Sequence, residues 1–118
     1  MGGSFRDLTV YKKAYALAME IFEITKKFPP EEKYELTDQL RRSSRSVCRG
    51  IGEGYRKRQY PKHFSSKMSD ADMENTETQV SLDFAGACKY ISQEENKKLR
   101  NKSEEVGRIR QLADDRKS

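Results

Sequence analysis

Four arginines, Arg42, Arg45, Arg49 and Arg56, recur at helical spacing along one stretch of the chain. A row of guanidiniums is suited to gripping phosphate. With Leu40 set at zero on a helical wheel they fall at about 140–200°. That is opposite the apolar seam of Leu36, Leu40, Ser44, Val47 and Ile51. Lys57, Arg58 and Lys62 carry the basic surface into the next loop, where Tyr55, Tyr60 and His63 offer rings for stacking single-stranded bases. Nine cations and a single carboxylate, Glu53, lie between Arg41 and Lys67, a local balance of +8. The whole chain carries +5, so the remainder is acidic at −3. The competing reading is a solvated charged face. Asp38 stands four residues before Arg42, the spacing of an i,i+4 ion pair, and Asp70, Asp72 and Glu74 follow in an acidic block that would neutralise more of the stripe. RNA or DNA binding and a neutralised surface both stay open.

Catalytic chemistry finds little to use. Glu53 and Glu77 are the carboxylates to consider, but each has a simpler role, Glu53 beside the arginines and Glu77 against a neighbouring helix or subunit. His63 is the sole histidine, so no histidine-based metal site can form and no HExxH motif exists. Ser43, Ser44 and Ser46 have no base nearby in sequence, which a nucleophile requires. The run Gly50-Ile51-Gly52-Glu53-Gly54 follows no strand and is no phosphate loop. Cys48 and Cys88 lack CxxC spacing and read as reduced thiols. The expectation is a non-enzyme with no metal, cofactor or small-molecule substrate.

The elements that would position these groups are helices. The 118 residues suffice for one domain. An apolar fraction of 34% against 36% charged suits a thin bundle with much surface rather than a fold around a buried sheet. No stretch approaches the roughly 20 apolar residues of a membrane span. The polar Met1-Gly2-Gly3-Ser4 start is no signal peptide and reads as an appended tail of residues 1–4, so a cytoplasmic location is expected.

Apolar residues recurring every three or four positions predict an all-α, antiparallel up-down-up-down four-helix bundle over 5–114, with helices at about 7–27, 34–58, 60–91 and 93–114 and a frayed tail at 115–118. In the first, Val10, Ala14, Leu17, Ile21, Ile24 and Phe28 form one seam beside a second of Tyr11, Tyr15, Ala18, Phe22 and Thr25, ended by Pro29-Pro30. In the second, Gly50 and Gly54 mark either a close helix crossing or fraying. The third carries two seams. Phe64, Met68, Ala71, Asn75, Thr78, Leu82 and Ala85 face the core. Met73, Glu77, Val80, Phe84, Ala87 and Ile91 form an opposite face, expected to bury against another subunit. Asn75 and Thr78, polar within a core seam, would need partners and would fix register. The fourth helix opens on an S-x-x-E capping box, Ser92 to Glu95. Its thin seam is Leu99, Val106, Ile109 and Ala113, with Lys102 in a seam position.

The run Phe5-Arg6-Asp7-Leu8-Thr9-Val10-Tyr11-Lys12-Lys13-Ala14 resembles the opening of a bacterial four-helix bundle family, the proteins encoded in intervening sequences of 23S ribosomal RNA genes. Phe28-Pro29 with Glu32-Lys33-Tyr34-Glu35-Leu36-Thr37-Asp38-Gln39-Leu40-Arg41-Arg42 looks like its loop and second helix. Ser46-Val47 with Ile51-Gly52-Glu53-Gly54-Tyr55 is similar to its Ser-Ile…Asn-Ile-Ala-Glu-Gly motif, and Glu77-Thr78-Gln79, Leu82-Asp83 and Tyr90-Ile91 resemble its third helix. The resemblance implies a homo-oligomer, commonly a pentamer, without catalytic residues. Ribosome or RNA association is attributed to the family, and a related group serves as nucleic-acid-binding accessory subunits of retroelement reverse transcriptases. Gly50 and Gly52 stand where the family has Asn and Ala, and Ser81 where a large aromatic is expected. Asn96, Lys97, Lys98 and Arg110 make the fourth helix more polar, a pattern that an engineered variant would show. Two functions follow: a nucleic-acid-binding accessory protein, or an interaction module whose only activity is self-association.

Overall fold

A computed structural model describes residues 3–109. It contains four α-helices: α1 (Thr9–Thr25), α2 (Leu36–Arg56), α3 (Pro61–Ala87) and α4 (Gln93–Val106). Short 3-10 turns precede α1 at Phe5–Asp7 and α2 at Pro30–Glu32, and no strand occurs among the described residues. Contacts between neighbouring helices pair a rising residue number with a falling one. Ser43 meets Thr78, and Gly50 faces Ala71. Asn75 meets Ser103 and Asp83 meets Arg100, while Lys13 meets Glu105 and Glu20 meets Lys98. That ordering makes α2–α3, α3–α4 and α1–α4 antiparallel, in a bundle measuring 45 × 23 × 21 Å. The N-terminal part of α2 likewise lies on the C-terminal end of α1, where Arg41 Nε donates to Thr25 Oγ1 at 2.8 Å.

The seams become the core. Leu17 and Ile21 of α1, Leu40, Val47 and Ile51 of α2, Phe64, Met68 and Leu82 of α3, and Leu99 and Val106 of α4 are all buried. Each large apolar side chain so enclosed is worth about 1.5–3 kcal/mol relative to exposure. The second seam of α1 is only partly enclosed. Ala18 and Thr25 are buried, but Tyr15 is exposed.

Helix ends follow local chemistry. Before Pro29 the chain tightens into i→i−3 bonds, Lys26 N to Glu23 O, Lys27 N to Ile24 O and Phe28 N to Thr25 O, so α1 stops at Thr25 and not at residue 27. Ser4, assigned by sequence to a tail, caps the first 3-10 turn. Its hydroxyl accepts from Arg6 N, while its own N–H donates to Asp7 Oδ2. The predicted capping box of α4 is present, with Ser92 and Glu95 exchanging bonds of 3.0 and 3.1 Å. α2 and α3 touch more extensively than any other pair. Two of the three glycines of α2 mark a close crossing: a Cβ at Gly50 would stand 3.0 Å from Ala71 Cβ, and one at Gly54 would collide with Met68 Cε.

Two expectations need correction. α3 ends at Ala87, four residues short of Ile91, because Lys89 adopts a left-handed backbone with φ 64°. Tyr90 N–H then bonds Ala85 O and Lys89 N–H bonds Gly86 O, the Schellman closure of a helix. Ile91 thereby turns into the protein's own core and leaves the proposed intersubunit face. In α4 the seam residue is Ser103, fully enclosed, while Lys102 reaches back to ion-pair with Glu20. α4 ends at Val106; Ala113 and the predicted helix and tail from 110 onward lie outside the described residues.

Candidate nucleic-acid interface

Helical spacing places Arg42, Arg45, Arg49 and Arg56 on the solvent side of α2, all exposed. Their surroundings differ. Arg42 Nε lies 3.2 Å from Asp38 Oδ2, the i,i+4 pair that the spacing predicts. The Arg45 guanidinium sits 5.6 Å from the centre of the Phe22 ring, beside Arg41 at 4.7 Å on the same ring. The N-terminal end of that stretch is therefore tied to a carboxylate and to α1. Arg45, Arg49, Arg56, Lys57 and Lys62 have no ion pair among the described residues.

Beyond α2 the chain turns sharply and gathers charge at one end of the bundle. Lys57 lies over the Tyr60 ring at 6.0 Å, and Tyr60 meets His63 edge to face. Tyr60, 59% exposed, keeps a face free for stacking. Tyr55 is committed instead: Arg58 covers its ring at 4.1 Å and its hydroxyl donates to Gly3 O. Arg58 itself is only half exposed, with Nη1 donating to Tyr55 O at 2.9 Å.

Arg6 joins this end although sequence reasoning did not single it out. The 3-10 turn Phe5–Asp7 rests on the C-terminal half of α2, where the Phe5 ring would lie 3.4 Å from a Cβ at Gly52. Arg6, Arg49 and Arg56 consequently line one cleft of about 340 Å³, with Phe5, Tyr11, Cys48, Gly52 and Glu53. A 43-residue separation leaves no local signal for that meeting; only the Phe5-Arg6 pairing within the family-like opening marked the residue.

Acids occupy the α2–α3 groove alongside. Gln39, Arg42, Ser43, Ser46, Glu74, Glu77 and Ser81 line a polar cleft of about 190 Å³. Partial burial, with the negative charge of the neighbouring Glu77, raises the pKa of Glu74, and Arg42 opposes that rise. Glu53 is held by Lys67 at 3.1 Å. Part of the acidic block thus sits beside the stripe, as the neutralised-surface reading requires, along Arg42 and also along Arg49, which borders a cleft with Glu53, Asp70 and Glu74.

The opposite face of α3 presents Met73, Glu77, Val80, Phe84 and Ala87 to solvent. Met73, Val80 and Phe84 are 67%, 49% and 60% exposed, an apolar stripe left open by the helices of the described residues.

The residues weighed for catalysis are engaged structurally. Thr78 Oγ1 donates to Glu74 O, so the 2.8 Å contact with Ser43 has the serine as donor. Ser44 donates to Leu40 O. Burial pushes the Cys48 thiol up to about 11, partly offset by its own backbone and by Arg49. No group of three His, Cys, Asp or Glu side chains converges on a metal-sized site among the described residues. No helix among them is long and apolar enough to cross a membrane.

A family model described as 23S rRNA-intervening sequence protein matches residues 6–111. A crystal structure from Bacteroides thetaiotaomicron VPI-5482, described as a protein with unknown function from the S23 ribosomal protein family, is similar over 92% of this chain and 96% of that one, with a TM-score of 0.79 and 26% identity. No curated protein matches the chain.

Proposed function

Since the chain belongs to the 23S rRNA-intervening sequence protein family, we propose that it is a non-catalytic, cytoplasmic, self-associating bundle that binds nucleic acid through the basic end where α2 passes into α3. The observation that carries this reading is the set of exposed cations there, Arg49, Arg56, Lys57 and Lys62, none in an ion pair among the described residues, with Tyr60 beside them. Unpaired cations displace condensed counterions from a phosphate chain, and an exposed ring accepts a base without regard to sequence. Arg42 is secondary, being already paired with Asp38, and Arg45 is secondary by position, lying over Phe22 of α1 away from this end. Self-association multiplies the patch, since each copy adds its own cations to a shared surface.

Fluorescence anisotropy with a labelled single-stranded RNA tests the reading. Affinity should fall steeply with salt, and the double variant Arg49→Glu, Arg56→Glu should lose binding while keeping its helical circular dichroism. Undiminished affinity in a folded double variant rejects it.

The stripe on α3 favours a second reading, an interaction module whose sole activity is assembly through Met73, Val80 and Phe84. That account expects no RNA retention at physiological salt. Light scattering examines the stripe separately: Phe84→Glu should lower the solution mass, and an unchanged mass removes this face as the interface.

A further inference from the structure

The cleft between the Phe5–Asp7 turn and α2 has a chemistry narrower than a generally basic surface. Three arginines from two separate elements, Arg6, Arg49 and Arg56, line it, and none is in an ion pair among the described residues. The one carboxylate in its wall, Glu53, is held by Lys67 on the α3 side. Arg6 is pre-positioned: its guanidinium lies 4.5 Å from the centre of the Phe5 ring, and Nη1 reaches Ser4 Oγ at 3.4 Å. An arginine stacked on a ring keeps its in-plane N–H groups available for an oxyanion. Phe5 and Tyr11 pack edge to face at 5.0 Å and make the wall partly apolar, which strengthens charge-assisted hydrogen bonds formed against it. Tyr11, whose hydroxyl has no hydrogen-bond partner among the described residues, also borders the cleft. At about 340 Å³ the cleft has the size of a small-ligand site rather than of a duplex groove.

Building on the nucleic-acid reading above, we infer that this cleft seats a terminal phosphomonoester of a single-stranded nucleic acid, so that the protein prefers phosphorylated chain ends over internal backbone. An internal phosphodiester brings one negative charge and two free oxygens. A phosphomonoester brings a charge of about −1.5 to −2 at neutral pH and three strong acceptor oxygens. Three arginines against one paired carboxylate in the wall match the second better than the first, with Asp70 and Glu74 on the far side of Arg49 in the neighbouring cleft. The neutral Cys48 thiol adds no repulsive charge.

The test compares three forms of one single-stranded RNA of about ten nucleotides, with a 5′-phosphate, with a 3′-phosphate and with neither, at physiological salt. The wild-type protein should bind at least one phosphorylated form about tenfold tighter than the unphosphorylated one, the gain of roughly one good charge-assisted contact. Arg6→Ala, at an exposed position outside the core, should erase the preference while weakening unphosphorylated RNA by no more than the loss of one cation from the basic end. Lys62→Ala should weaken all three equally. AMP should compete away the preference without displacing unphosphorylated RNA. Equal affinity for all three forms overturns the seat and leaves the basic-end reading standing, as does AMP binding without any effect of an end phosphate on RNA. A preference that survives Arg6→Ala in a protein with native circular dichroism removes the seat from this cleft. Failure of every RNA to bind brings down both.

Discussion

Asn75 of α3 and Ser103 of α4 bond each other in both directions: Asn75 Nδ2 donates to Ser103 O at 2.8 Å, and Ser103 Oγ donates to Asn75 Oδ1 at 2.9 Å. Both residues are buried, so neither has water as an alternative. The pair fixes the register of the least apolar helix, which has only Leu99 and Val106 to bury beside Ser103. Asn75→Ala leaves an enclosed hydroxyl without an acceptor and opens a small void. It should cost about 2–3 kcal/mol, against about 1 kcal/mol for Ser103→Ala. In a double-mutant cycle read by urea denaturation the coupling should exceed about 0.5 kcal/mol. Additive losses would show that the two bonds do not act as a unit.

Lys89 supplies a prediction of opposite sign. It holds the left-handed position that closes α3, where a Cβ costs roughly 1 kcal/mol that glycine avoids. Lys89→Gly should therefore stabilise the protein, by less than about 1 kcal/mol because glycine also gains freedom in the unfolded chain. A lower thermal midpoint in Lys89→Gly would mean that the lysine side chain matters there more than its backbone.

These two sites mark what could be read from the chain. Side-chain periodicity is a local property, so Leu17, Ile21, Leu40, Val47, Ile51 and Leu82 were recognisable as core, and so were the Ser92 cap and the Asp38–Arg42 pair. The stop of α3 was not legible, because Phe84, Ala87 and Ile91 continue the helical period across a turn whose left-handed position holds Lys89 and not glycine. Asn75 was recognisable as a polar residue needing a partner, but its partner was hidden by placing Lys102 in the seam, an error of one residue and about 100°. Arg6 beside Arg49, and Tyr55 held by Arg58 and Gly3 O, are tertiary encounters with no trace in local spacing. The basic surface was therefore visible, while its division into occupied and free cations was not.

That division predicts unequal contributions to RNA binding. Each cation that displaces a counterion from single-stranded RNA adds about −0.7 to the slope of log affinity against log salt. Replacing Arg49, Arg56 or Lys62 by Gln should each reduce the slope by about that amount. Arg42→Gln should change it little, since Asp38 already neutralises that arginine, and Arg45→Gln should change it less than these, since Arg45 lies over the Phe22 ring of α1, away from the basic end. Equal slopes lost at all five positions would show that binding tracks the entire α2 stripe and not the end of the bundle.

Tyr90 yields a prediction about pH. Its hydroxyl donates to Glu32 Oε2 at 2.8 Å while its ring packs on Phe28 at 5.2 Å, joining the α1–α2 connection to the α3–α4 connection. Glu32 Oε1 meanwhile accepts from Leu36 N at the start of α2, so one carboxylate serves both links. The hydrogen bond to that carboxylate comes first among the causes that push the phenol up to about 12, followed by burial and the negative charge of Glu32. An unfolded tyrosine ionises near pH 10. Between these values the folded protein holds more protons than the unfolded chain, so stability falls as pH rises. The contribution is fully present below about pH 10 and is lost as pH passes through about 12. Tyr90→Phe keeps the ring and removes the proton, so subtracting its stability from that of the wild type cancels the other tyrosines and the lysines. The wild type should be the more stable of the two at pH 8, and the difference should shrink steadily above pH 10. A difference that stays constant across that range would show that the bond to Glu32 contributes nothing to joining the two connections.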